Sequence, residues 1–358
     1  MCGVFGYVGQ STDVGSAVVT ALKTLEYRGY DSWGIALSTL DSFIVDKDIG
    51  RINGHSRNYP DSSLGFGHTR WATHGGVTEA NAHPHLDCNG RFAVVHNGII
   101  ENHAVLRADL KARGHQFASE TDSEVIAHLI EDRMETNDDF SNAVATVFEM
   151  LDGYNAIVVM DRFGERLAAT KQVSPLVIGI GDSGSTVASD AIALRDHADR
   201  LLYLEDHQLA ILSRNGVELM ERASLSPLVP VTLPFDDVRE ITVLGEHPDF
   251  LSKEVSEQPA ALRRLVREAS PEIAALAAEI GNARKVVLVG CGTAGNAALA
   301  GTYFFSQLSK RDVTFVPASE FRYRSASLDA DTLVIALSQS GETVDVLEAM
   351  TDARARGA

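Results

Sequence analysis

The sequence predicts two domains of different construction: a layered, strand-rich α+β domain, then an α/β domain built on a parallel sheet. Three observations predict this. Over the first 240 residues, short β-rich runs recur at the ~8–12-residue spacing of antiparallel sheet systems, with helical segments among them. From about residue 285, strands alternate with helices, the grammar of βαβ units. A transitional stretch, FDDVREITVLGEHPDFLSKEVSEQP, separates the two patterns, and 358 residues suit two domains.

The elements follow in order. DVGSAVVTALKTLEY carries apolar residues at helical spacing, as does ENHAVLRADLKARG, which closes on Gly114. TDSEVIAHLIEDRM opens on Thr121 with Glu124 three residues later, a capping-box pattern. RFAVVHNG, YNAIVVMDR, SPLVIGIG, STVASD, RLLYLED and HQLAILSRNG are strands bounded by Gly, Asp, Asn or Ser. Beyond the transition, EQPAALRRLVREASPEIAALAAEIGNA is helical. KVVLVG is a buried-type strand, followed by a helix from about Gly295 to Ser309, the strand DVTFVPA, and the strand DTLVIAL leading into a helix. Three parallel strands are fewer than a doubly wound domain carries, so this second domain is expected to be incomplete. The expected boundaries are 1–240, a linker at 241–258, and 259–358.

Composition narrows the function. The net charge of −18 is spread along the chain, whereas nucleic acid and anionic membranes require clustered positive charge; neither is expected as a partner. Three cysteines, Cys2, Cys88 and Cys291, form no disulfide framework and point to a reducing compartment. With no signal-peptide pattern and no ~18-residue apolar run, a cytoplasmic location is expected.

Several short motifs carry chemistry. Removal of the initiator Met before Cys2 would place a thiol and a free α-amine on one residue. That amine, with a pKa near ~8, can act as base for a thiol near ~8.5; the alternative is a buried, inert cysteine. Six of the twelve histidines lie between residues 65 and 103. The spacing His83-x-His85-x-x-Cys88 matches no common zinc pattern, so no metal is expected. Asn97-Gly98 offers a carboxamide N–H beside a backbone N–H, an oxyanion hole, or else a plain hairpin turn. Arg70 and Asp122 are ordinary singly; together they suit the carboxylate and ammonium of a free amino acid. Gly290-Cys-Gly292-Thr-Ala-Gly295 satisfies a dinucleotide fingerprint, but the acidic partner it needs is misplaced, since Asp312 precedes the next strand. A tight strand-to-helix turn is the alternative, and no cofactor is expected. Ser338-Gln339-Ser340-Gly341-Glu342-Thr343, between a strand and a helix, exceeds the needs of a helix cap and suits a phosphate cradle.

MCGVFGYVG, LEYRGYDSWGIAL, GHTRWATHGG, NAHPH, VVHNGIIEN and SETDSEV, in this order, resemble the glutaminase domain of glutamine amidotransferases with an N-terminal cysteine nucleophile. The similarity is nearest to the glutamine–fructose-6-phosphate aminotransferase family. The GCGT turn, ASEFRYR and SQSGET resemble the sugar isomerase (SIS) fold of the same family. The resemblance implies an αββα sandwich of the N-terminal-nucleophile hydrolase type, followed by a partial SIS domain. It implies Cys2 as nucleophile, Asn97 and Gly98 as oxyanion hole, and Arg28 as an organiser close to Cys2. Arg70 and Asp122 would hold glutamine, with Thr73 and His74 in a closing loop and Trp71 beside it, gating a channel for ammonia. Ser338, Gln339, Ser340 and Thr343 would hold the phosphate of fructose 6-phosphate, with Cys291, Gly292 and Thr293 at its sugar end. The implied reaction converts glutamine and fructose 6-phosphate to glutamate and glucosamine 6-phosphate, in a homodimer at full length. Departures are Ala294, where the family has Ser, and the divergent segment LGEHPDFLSKEV. The family also continues beyond this point into a second sugar isomerase subdomain. A stand-alone glutaminase and a phosphosugar-binding regulatory protein are therefore the alternatives.

Overall fold

A computed structural model describes residues 2–52, 57–136, 139–235, 247, 250–267, 271–339, 341 and 343–358. The chain divides into two compact units, Met1–Val243 and Leu244–Ala358.

Among the described residues, the first unit holds two antiparallel sheets. One has eight strands, with Gly3–Gly9 between Gly184–Ala188 and Leu64–Arg70, and Ser32–Ser38 beyond the latter. The other has seven, with Phe92–Gly98 paired to Asn155–Asp161. The two-residue period of each strand divides its side chains between two cores. Val4 and Val8 from the first sheet meet Ala93 and Val95 from the second in a core between the sheets. Phe5 and Tyr7 face the other way and pack with Val14, Val18 and Leu22 of the helix Val14–Leu25. Phe92 and Val94 likewise pack with Val125, Ile126 and Val144, from the helices Glu124–Glu135 and Phe140–Glu149. The layers therefore run helix, sheet, sheet, helix. Each fully buried Val, Leu, Ile or Phe contributes roughly 1.5–3 kcal/mol, and because both faces of these strands are apolar each sheet is covered on both sides.

The capping box expected at Thr121 does not form. The helix begins at Glu124, after Ser123. The Thr121 hydroxyl bonds instead to His85 Nε2 at 2.9 Å, and the Glu124 carboxylate accepts the backbone N–H groups of Ala118 and Ser119, both at 2.7 Å. Tertiary partners outcompete the local cap.

In the second unit, Lys285–Gly290 lies between Thr314–Pro317 and Thr332–Ala336, all parallel. The helix after the first strand runs Gly292–Phe304, starting earlier than expected, and closes in a wider turn over Phe305–Ser309. Of the expected linker, 241–246 and 248–249 lie outside the described residues, and its last part belongs to the helix Phe250–Arg267.

Candidate active site

Cys2 immediately precedes the strand Gly3–Gly9, whose neighbour Leu64–Arg70 runs antiparallel to it and pairs Thr69 with Gly3. The same pairing brings the chain beyond Arg70 to the thiol: the Trp71 N–H donates to Cys2 Sγ at 3.2 Å. Burial pushes the Cys2 thiol above its ordinary pKa, while the Trp71 N–H and the charge of Arg70 pull it down. The sulfur is thus held as a thiol beside groups that favour its thiolate once a base takes the proton.

The second sheet delivers Asn97. Its carboxamide N–H donates to the carbonyl of Cys2 at 3.0 Å, so ends of strands from both sheets meet at one point. Asn97-Gly98 is therefore not a hairpin turn; it is the end of a strand, with Gly98 opposite Asn155. Gly98 has φ +137°, and a Cβ there would stand 2.3 Å from the Tyr154 carbonyl. Only glycine fits.

His68 sets the orientation of Asn97. Its Nε2 lies 3.0 Å from Asn97 Oδ1 and 3.1 Å from the His96 carbonyl, both acceptors. Burial holds its pKa down at about 3, so the ring is neutral, and its buried Nδ1 has no hydrogen-bond partner among the described residues. The proton therefore sits on Nε2, the only tautomer that serves both acceptors. With Oδ1 occupied by His68, the Asn97 amide presents its N–H toward Cys2. Sequence reasoning missed His68, one histidine among six. The others in the cluster are accounted for: His83, His85 and His96 are buried and held neutral by burial. His96 bonds to Ser123 Oγ at 2.8 Å and Asn155 Oδ1 at 2.9 Å.

Arg70 ends its strand with the guanidinium turned to the following loop, donating to the carbonyls of His74, Gly75 and Gly76. Burial lowers its pKa, and Cys2, Asp122 and Asp31 oppose this electrostatically, which places those acids around it. Asp122 accepts the Ile100 N–H at 2.8 Å, two residues past Gly98. Thr73 is exposed and His74 half-buried, its ring 5.1 Å from that of His103. Trp71 is 48% exposed and meets Tyr30 edge-on. Asp31, also missed, accepts the Ala72 N–H at 2.9 Å. Arg28 bonds to the Ser189 carbonyl and to Asp190 at 2.8 Å. Ser189 Oγ accepts the Val4 N–H at 3.0 Å, so Arg28 acts on the Cys2 strand through Ser189.

The second unit carries a separate candidate site where two adjacent parallel strands end. Ser338 Oγ lies 3.2 Å from Thr343 Oγ1 and accepts the Gly341 N–H at 3.0 Å. Thr343 precedes the helix Val344–Ala355. Gln339 is exposed, and Ser340 lies outside the described residues. Cys291 precedes the helix Gly292–Phe304, with Gly292 at φ +54° and Thr293 exposed. The Cys291 thiol contacts Asp345 Oδ2 at 3.6 Å, which brings the two loops together.

Residues 68–196 match the glutamine amidotransferase domain family, and residues 279–358 match the SIS domain family. Among curated relatives, the glutamine–fructose-6-phosphate aminotransferase (isomerizing) of Thermus thermophilus is 40% identical over all of this chain and 60% of its own length. That of Symbiobacterium thermophilum is 42% identical with the same coverage. The chain thus spans about 60% of the length of the curated relatives it matches. A solved structure of the allosteric regulatory enzyme of purine biosynthesis aligns with a TM-score of 0.53 at 27% identity, over 63% of this chain and 50% of that one. The glutamine phosphoribosylpyrophosphate amidotransferase of B. subtilis shares the fold with a TM-score of 0.55 at 21% identity, over 88% of this chain and 65% of its own. No helix among the described residues is long and apolar enough to cross a membrane.

Proposed function

We propose that this chain, a relative of the glutamine–fructose-6-phosphate aminotransferases with an amidotransferase and a SIS domain, hydrolyses glutamine at Cys2 and serves the amination of fructose 6-phosphate. The observation that carries this reading is the Asn97 carboxamide, locked by His68 with its N–H toward Cys2. A donor preset in this way stabilises an oxyanion without reorganising during the reaction.

With Met1 removed, the Cys2 amine takes the thiol proton and Sγ attacks the side-chain amide carbon of glutamine. The negative charge that develops on the amide oxygen rests on Asn97 Nδ2–H and the Gly98 N–H. Collapse breaks the C–N bond, the proton passes to the leaving nitrogen, and ammonia departs. Water then attacks the thioester, giving glutamate and restoring the thiol. Arg70 and Asp122 hold the substrate's carboxylate and ammonium, with Thr73, His74 and Trp71 closing over it and Trp71 gating the path for ammonia. Arg28 positions the strand through Ser189. Ser338, Gln339, Ser340 and Thr343 receive the phosphate of fructose 6-phosphate, and Cys291, Gly292 and Thr293 line its sugar end. We assign residues 1–240 to the glutaminase, 241–258 to the linker and 259–358 to part of the SIS domain, in a cytoplasmic enzyme that dimerises at full length.

The test is to incubate the chain with glutamine, with and without fructose 6-phosphate, and measure glutamate and glucosamine 6-phosphate separately. Glutamate release that disappears in Cys2→Ala supports the reading, and release that survives this change overturns it. Binding of hexose phosphate with no glutamate release would point to a phosphosugar-binding regulatory protein.

A further inference from the structure

Cys88, His115, His128 and Glu131 have no part in the sites described above. Each offers one ligand atom, and these atoms all lie within 4.8 Å of one another. Cys88 Sγ is 3.7 Å from His115 Nδ1 and 3.5 Å from His128 Nδ1. Glu131 Oε2 is 3.0 Å from His115 Nδ1 and 3.4 Å from His128 Nδ1. For a tetrahedral ion with bonds of ~2.3 Å to sulfur and ~2.0–2.1 Å to nitrogen and oxygen, the ligand atoms stand ~3.3–3.6 Å apart. The four spacings above, 3.0–3.7 Å, bracket the edges of such a tetrahedron, and all the ligand atoms lie within 4.8 Å of one another. We propose that these four residues bind one zinc ion.

The sequence spacing concealed this set. The motif that drew attention, His83-x-His85-x-x-Cys88, is dispersed by the fold: His83 Nδ1 faces the His96 N–H and His85 Nε2 faces Thr121. Cys88 turns the other way, toward the helix Glu124–Glu135, where His128 and Glu131 lie three apart and share a face. His115 comes from the segment following the helix His103–Ala112. The three stretches converge only in the folded chain.

The surroundings suit a metal. His115 Nε2 lies 2.6 Å from Asp132 Oδ1, the carboxylate–histidine pairing that fixes a ligand's tautomer and leaves Nδ1 free to coordinate. His115 Nδ1 faces Glu131 Oε2 at 3.0 Å, on the side of the ring away from Asp132. Asn89 Nδ2 donates to Glu131 Oε1 at 2.7 Å, and Oε2, which also accepts the Cys88 N–H at 3.2 Å, is the oxygen that faces the two histidines. One thiolate and one carboxylate neutralise a divalent ion, as a half-buried site demands. Thiolate and imidazole donors in four-coordinate geometry favour zinc over calcium or magnesium. Four protein ligands close the site, so the ion is structural. It ties the loop before the strand Phe92–Gly98 to the helix behind that strand. Asn97 sits at the strand's far end, five residues or about 17 Å from Phe92 at ~3.3 Å per residue. Exposed Cys88 leaves the site accessible to an ion, and the thiol proton is released to solvent on binding.

The test uses the tag-free chain, stripped with a chelator and titrated with cobalt(II) as a spectroscopic probe and with zinc. We expect one equivalent of cobalt to give thiolate charge-transfer absorption and the visible bands of a four-coordinate ion, both displaced by zinc. Zinc should also raise the melting temperature. In Cys88→Ser, an exposed site where the fold should survive, the charge-transfer band and the thermal shift should both vanish. Asp132→Asn should weaken affinity by about 10- to 100-fold, the usual cost of losing such a partner. Cys291→Ala should bind as the parent does. Absence of the band in the parent chain overturns the proposal, as does a band that survives Cys88→Ser or disappears in Cys291→Ala.

Discussion

Replacing His68 with Ala isolates what orients the Asn97 amide, the donor proposed for the oxyanion. The substitution leaves Cys2, Asn97 and Gly98 intact and removes the group that accounts for the orientation of the Asn97 amide. A neutral hydrogen bond contributes ~0.5–1.5 kcal/mol net. Here the Nε2–H is shared between Asn97 Oδ1 and the His96 carbonyl, so the part that orients Asn97 is in the lower half of that range, ~0.5–1 kcal/mol. At 1.36 kcal/mol per tenfold, kcat should fall about two- to fivefold, with KM for glutamine little changed. That is less than the ~10²–10³ expected for deleting the donor itself in Asn97→Ala. In the Asn97→Ala background the His68 change should add almost nothing, because the group it orients is gone. Glutamate release, measured well below each variant's melting temperature, separates this from instability. Equal losses of kcat in both backgrounds would show that His68 does not act through Asn97. A change confined to KM would place it with the glutamine-holding groups.

Other expectations follow from the same geometry. Gly98→Ala forces a side chain to φ +137° against the Tyr154 carbonyl, so both glutamate release and the melting temperature should drop, the latter by more than Ala causes at an ordinary loop glycine. Ser338→Ala removes the acceptor of the Gly341 N–H and the partner of Thr343; isothermal titration should show weaker hexose phosphate binding, with glutamine hydrolysis unchanged. Stability should fall on acidification below about pH 6.5. His68 titrates at about 3 when folded, against 6.5 when free, so between those values the unfolded chain binds a proton that the folded chain refuses. Stability is then lost at up to ~1.4 kcal/mol per pH unit for this ring. The neighbouring His83 and His85 act in the same direction. Denaturant midpoints measured from pH 7 to pH 4 should decline steadily, and midpoints flat across that range would show these rings are not held neutral.

How much of this was legible in the sequence depended on whether a signal was local. Phe92–Gly98 and Asn155–Asp161 announced themselves as apolar runs ending in turn residues. The strand Leu64–Arg70, which carries Arg70 and His68, did not, because glycines interrupt it. Those glycines have a packing reason. A Cβ on Gly67 would stand 2.7 Å from Leu22 and 2.8 Å from Val18, so the helix Val14–Leu25 lies on the strand only if the position is bare. The residue that weakens the strand signal is the one that lets the helix approach.

The same logic separates the site residues that could be found from those that could not. Cys2, Asn97, Arg70 and Asp122 are each ambiguous singly, and it is the run of motifs around them, resembling the amidotransferases, that draws attention to them. His68 has no such mark, because its role exists only in relation to Asn97, 29 residues away on the other sheet. Stacking the two sheets creates that relation, and no periodicity within either strand encodes it. Glu124 shows the reverse error: a pattern that reads locally as a helix cap is overridden by the backbone N–H groups of Ala118 and Ser119, which the loop before the helix presents to it. Cys88, His115, His128 and Glu131 combine both effects, since the helix supplies the His128–Glu131 pair but tertiary structure supplies the rest. Chemistry that resides in one residue or one turn is readable from sequence. Chemistry that resides in the distance between layers has to wait for the layers to be assembled, and in this chain the donor's orientation and the candidate zinc site are both of that second kind.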